Sequence, residues 1–129
     1  MQFKLTALLT GIIIASGSFA TPIHKKRSCT VNANIIDTWY EGGAQRYQIA
    51  YSTTNTCIDM KSGCDAWSSQ TIRDNCAGLW QNVQCYYSSV VGSWVIDDSE
   101  ALGPVGWTEI NCMVSKFRLV WANKLGCNK

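Results

Sequence analysis

The sequence predicts a small disulfide-stabilised α+β sandwich, an antiparallel sheet with one or two helices. Three observations carry that prediction. All seven cysteines (Cys29, Cys57, Cys64, Cys76, Cys85, Cys112 and Cys127) fall within residues 28–129. Tyr47, Ile49 and Tyr51 alternate with Arg46 and Gln48, the period of a half-buried strand. Ile72, Cys76, Leu79 and Trp80 share one helical face.

In chain order, a first strand is expected from Thr30 to Tyr40, a turn at Glu41-Gly42-Gly43-Ala44, and a second strand over 45–53. A Ser/Thr/Asn loop leads to Cys57. Ser62 with Asp65 three residues on reads as a capping box, so a helix is expected over 63–79, with Gly78 near its end. Residues 83–91 read as a strand, Gly92-Ser93 as a two-residue turn, and Trp94-Val95-Ile96 as its return. An acidic, glycine-containing loop is expected over 97–106. Trp107, Ile110 and Val114 have helical spacing, and Phe117, Leu119 and Trp121 alternate with Lys116 and Arg118 as a last strand running to Cys127. The expected order is ββαββ(α)β.

The N-terminus reads as an export signal. An apolar stretch over 5–17 is followed by Ser18-Phe19-Ala20, the small–bulky–small pattern of a cleavage site. The stretch is shorter than the ~20 residues a membrane anchor needs, and no later segment is long or apolar enough to span. Residues 21–27 end in Lys25-Lys26-Arg27, which resembles a dibasic processing site of the kexin kind, with Lys26 and Arg27 preceding the cut. The expected organisation is a signal peptide (1–20), a propeptide (21–27) and a single secreted cysteine-rich domain (28–129).

Processing reverses the charge. The full chain carries +2, but residues 28–129 hold seven cations against nine acids, a net charge of −2. No basic stripe remains to neutralise phosphates, so no nucleic-acid partner is expected. The same balance opposes a cationic membrane-disrupting mode, and no stable membrane insertion is expected. Small extracellular domains often add disulfides to a modest core. Seven cysteines leave one over, as a free thiol or as an intermolecular bridge in a disulfide-linked dimer, and the spacing does not choose the pairs. Cys64 and Cys76, about three turns apart on one expected helix, are too distant to bridge each other. Partners on strands are expected, with Cys57, Cys85 and Cys112 as candidates.

The chemistry open to residues 28–129 is narrow. The one histidine, His24, precedes the basic triplet. That removes Ser–His and Cys–His nucleophile pairs and the usual imidazole base. There is no CxxC pair to hold zinc, and no metal or cofactor is expected. A carboxylate pair remains possible, since Asp97, Asp98 and Glu100 cluster in one loop with Glu41 and Glu109 elsewhere; three acids in one loop read more simply as a solvated turn. No catalytic residue is assigned. Six tryptophans are expected mainly to fill the core, with one or two exposed to make contacts.

A signal, a short propeptide ending in Lys-Lys-Arg and a cysteine-rich body resemble the small secreted proteins of filamentous fungi, many of which are effectors or toxins. Residues 50–76, from the strand through the Ser/Thr/Asn loop, Cys57, Cys64 and the helix to Cys76, resemble the calcium-channel-blocking killer toxin of smut fungi. That toxin has more cysteines, and its paired N-terminal cysteines are matched here only by Cys29. The resemblance implies an α+β sandwich and carries over no toxin residue. The expectation is a secreted, non-enzymatic effector or virulence protein acting by binding a host protein. A killer-toxin-like protein aimed at a competitor cell surface and a carboxylate-dependent carbohydrate-active enzyme are the alternatives.

Overall fold

The computed structural model describes residues 28–76 and 81–127. The expected signal, the propeptide with Lys26 and Arg27, and the expected end of the first helix at Gly78 lie outside them. Seven elements follow one another: β1 (Val31–Glu41), β2 (Ala44–Thr53), α1 (Ser62–Trp67), α2 (Gln70–Cys76), β3 (Gln81–Ser88), β4 (Ser93–Glu100) and α3 (Pro104–Leu125). The strands form one antiparallel sheet in the order β1-β2-β4-β3. Helix α3 lies against β1, β2 and β4, and α1 and α2 pack on α3. The helices cover one face of the sheet, which is a small disulfide-stabilised α+β fold.

The first hairpin follows from local chemistry. Gly42 and Gly43 sit at φ 60° and 85°, the left-handed region that a tight two-residue turn demands and that glycine enters without steric cost. The pairing Glu41–Ala44 closes the turn and sets the register back to Asp37–Gln48; an irregularity between Ile35 and Asp37 then shifts it by one residue, and pairing continues from Ile35–Ile49 to Val31–Thr53. Alternation then sends Tyr47, Ile49 and Tyr51 to the helical face, where all three are buried. Tyr51 makes T-shaped contacts with Phe117 and Trp121 of α3, with ring centroids 5.6 and 5.2 Å apart. Its ring also lies on the backbone of α1, since a Cβ at Gly63 would come within 2.4 Å of it.

Four expectations are corrected. The expected final strand does not exist: Phe117, Leu119 and Trp121 belong to the 22-residue helix α3, which also absorbs the expected short helix. Its buried residues Ile110, Met113, Val114, Phe117 and Trp121 recur at three- and four-residue spacing, while Leu119 faces solvent. Pro104 starts the helix, and Gly126, at φ 67°, ends it. The expected helix over 63–79 is two short helices broken at Ser68-Ser69. Ser62 does not cap it; its Oγ accepts a hydrogen bond from Trp121 Nε1 at 3.1 Å instead. The two-residue turn at Gly92-Ser93 is a four-residue turn over 89–92.

Three bridges lock this arrangement: Cys29–Cys127, Cys64–Cys85 and Cys76–Cys112. Cys64 and Cys76 are not joined to each other. Cys64 ties α1 to β3, whereas the partner of Cys76 is on helix α3, not on a strand. Cys57 is unbridged and exposed. Iodoacetamide under non-reducing, native conditions is therefore expected to add one label, on the peptide containing Cys57. Labelling of any other cysteine before reduction would contradict the pairing.

Candidate functional site

Strand β4 carries the acids that could do chemistry, and it is built differently from the expected loop. Asp97, Asp98 and Glu100 are strand residues, and all three are buried. Successive side chains on a strand point to opposite faces. Asp97 and Ser99 therefore lie on the helix-free face, opposite Gln48 and Arg46 of β2, while Asp98 and Glu100 lie beneath the helices, opposite Tyr47 and Gln45.

On the helix-free face, both oxygens of Asp97 are engaged. Gln48 Nε2 donates to Oδ1 at 3.0 Å and Tyr86 OH donates to Oδ2 at 2.9 Å. Beside them Arg46 is 2 % exposed. Its Nη1 donates to Asn82 O at 2.7 Å and to Ser99 Oγ at 2.9 Å. Its guanidinium lies 5.9 Å from the centre of the Trp39 ring and 3.5 Å from Glu41. Asn82 takes φ 55° at the irregularity in β3, which brings its carbonyl to the arginine. One cation thus ties β1, β2, β3 and β4 together.

Beneath the helices, Asp98 accepts from Trp67 Nε1 at 2.8 Å and from the backbone N–H of Ser99 at 2.8 Å. Burial pushes its carboxyl up to about 6, against those two hydrogen bonds and the positive charge of Arg46, which act the other way. Glu100 is fully buried close by, and its charge adds to burial in raising the phenol of Tyr47.

This geometry separates the acids. Asp97 and Asp98 are on opposite faces and cannot flank one bond. Asp97 and Glu41 share a face, but the register puts their Cα atoms about 16 Å apart, four residues along and two strands across. Glycosidic carboxylates sit at roughly 5–10 Å. Asp98 and Glu100 are neighbours with no exposed surface, and Glu109 is half-buried on α3. The solvated acidic turn expected from the sequence is corrected to a buried strand. Among the described residues no three His, Cys, Asp or Glu side chains converge as a metal-binding group.

What the surface displays instead is apolar. Trp67 and Trp121 are fully buried, Trp39 and Trp94 are half-buried, and Trp107 is 51 % exposed; Trp80 lies outside the described residues. Trp107 packs on Tyr47, ring centroids 6.2 Å apart, and Leu102 and Val105 beside it in sequence are also more than half exposed. At the other end of the sheet, Tyr87, Val90 and Val91 project from the β3–β4 hairpin. Comparison with protein-family models, curated proteins and solved structures finds no match. The site therefore stands on its own geometry.

A groove of about 490 Å³ runs between the outer edge of β1 and α3, lined by Val31, Asn32, Arg118 and Leu119 among others. Arg118 closes part of that edge, because its guanidinium donates to the outward carbonyl of Ala33 and to Asn34 Oδ1. A cation across a free edge blocks pairing with other strands. Sequence reasoning missed Arg46 and Arg118 as structural cations and missed the hairpin tip. Only the two valines beside Gly92, in a run without charge, hinted at the last of these.

Proposed function

We propose that this chain is a secreted, non-enzymatic effector that acts by binding a host protein. One observation carries the reading: the β4 acids are held inside the fold, while large apolar side chains are displayed at the start of α3, with Trp107 as the anchor. Binding energy concentrates in a few such residues, aromatic ones above all. Export is supported by the N-terminal pattern and by three disulfides, which persist in oxidising compartments. Among the described residues no helix is long and apolar enough to cross a membrane.

The test applies purified protein to host tissue and to cultures of rival fungi. Trp107→Ala is expected to lower host activity at least about tenfold with an unchanged circular dichroism spectrum. Asp97→Asn, which keeps the shape of the hydrogen-bonded carboxyl group, is expected to leave it intact. Loss of activity in Asp97→Asn with a native spectrum would put the carboxylate enzyme first, to be checked on polysaccharides. Growth inhibition of rival fungi without a host response would put the killer-toxin-like reading first.

A further inference from the structure

We infer that the tip of the β3–β4 hairpin is a docking finger for the interface of an uncharged, zwitterionic phospholipid bilayer. Val90 is 95 % exposed, with Tyr87 at 57 % and Val91 at 39 % beside it. They form one projecting apolar cluster, which is the kind of exposure that marks a contact surface.

Charge is segregated along the sheet in a way that fits this partner. No Asp, Glu, Lys or Arg occurs in residues 30–36, 47–58 or 82–96. The strand register gathers those three stretches at the hairpin end. Every charged residue of the sheet (Asp37, Glu41, Arg46, Asp97, Asp98 and Glu100) lies in the opposite half. The first charge met along the hairpin is Asp97, opposite Gln84, about 13 Å from the Ser88–Ser93 pair at the tip. In the helical layer the charges at this end are of both signs: Asp59 and Asp65 stand near Tyr51, and their charges help raise its phenol, while Lys61 lies between them in the chain and the Arg118 guanidinium sits on Ala33 O and Asn34 Oδ1. Neither sign dominates to draw the tip to an anionic surface, so the match is to neutral headgroups.

The finger is also ordered by depth. Aliphatic Val90 and Val91 come first, and Tyr87 and Trp94 pair across the strands just behind them. Amphipathic rings of this kind settle at the headgroup level while aliphatic groups go deeper. The turn satisfies part of its own backbone, which lowers the cost of leaving water: Gly92 N–H donates to Ser88 O at 2.8 Å and Val91 N–H to Ser88 Oγ at 3.2 Å. A convex tip needs no preformed pocket in a fluid interface. It rests there without spanning, and it leaves the Trp107 end of the sheet facing away. This inference goes beyond the host-protein reading and does not depend on it.

The experiment uses the isotope-labelled protein, disulfides intact, with phosphatidylcholine bicelles carrying a spin-labelled lipid. Amide signals of residues 87–94 are expected to broaden first. In Val90→Asp/Val91→Asp, whose changes are on exposed side chains, the lipid concentration for half-maximal broadening is expected to rise at least about tenfold. A Val105→Asp control, at the far end, should leave it unchanged. No broadening at 87–94, equal broadening in the double variant, or broadening only after anionic lipid is added would each overturn the inference. Loss of host activity in the double variant without any lipid contact at 87–94 would make the tip a protein anchor and overturn it equally.

Discussion

Stability is expected to rise as the pH falls from about 7.5 to about 4.5, opposite to the usual behaviour of a carboxylate held by an ion pair. The cause is Asp98. Its carboxyl is raised from 3.8 to about 6 by burial beneath the helices. Between those two values the folded chain holds a proton that the unfolded chain has released, so acidification through about 6 favours the fold and neutral pH costs it that stabilisation. A rise of about two units is worth roughly 3 kcal/mol, a large share of the ~5–15 kcal/mol that holds a small domain together. Guanidinium denaturation at about pH 7.5 and about pH 4.5 captures the part gained between about 6 and 4.5, roughly 2 kcal/mol. Asp98→Asn should remove most of the slope. It should also cost stability at low pH, because an amide cannot accept from both Trp67 and Ser99 as the carboxyl group does. A flat wild-type profile over this interval would show that Asp98 stays ionised in the fold.

Removing the Cys29–Cys127 bridge is expected to cost more than removing either of the others. It joins residues 98 apart, against 21 for Cys64–Cys85 and 36 for Cys76–Cys112. In the chain-entropy picture a loop of that length is worth roughly 4–5 kcal/mol and a loop of about 20 residues roughly 3. Both cysteines are buried beside Ala122, so the double Ser variant also loses packing where the segment before β1 meets the end of α3. Cys29→Ser/Cys127→Ser should therefore melt lower than Cys64→Ser/Cys85→Ser. An equal or smaller drop would mean that the Cys29–Cys127 bridge is not what limits the unfolded chain.

Parts of this fold are readable because they rest on neighbours in sequence. The Gly42-Gly43 turn needs only backbone freedom, and the burial of Tyr47, Ile49 and Tyr51 needs only strand period. The end of α3 was misread for a related reason. Phe117, Leu119 and Trp121 satisfy a two-residue period over a short window, and only the longer series from Ile110 to Trp121 reveals the helical one. The acids of β4 were misread for a different reason. A run of Asp, Asp, Ser and Glu reads as a solvated turn unless Gln48, Tyr86 and Trp67 are known to reach it, and they lie 49, 11 and 31 residues from their partners.

The sequence by itself determined the class of molecule: a cysteine-rich α+β body without histidine after residue 27, weakly acidic, with a leading hairpin turning at Gly42-Gly43. These follow from composition and from rules that act within a few residues. Tertiary structure alone decided which cysteines pair, that Cys57 is left over, that Asp97 and Asp98 face opposite ways, and that the apolar residues on show are Trp107 at one end and Val90 at the other. Each of those depends on contacts between residues far apart in the chain, where a disulfide, a buried hydrogen bond or a covered ring outweighs local preference.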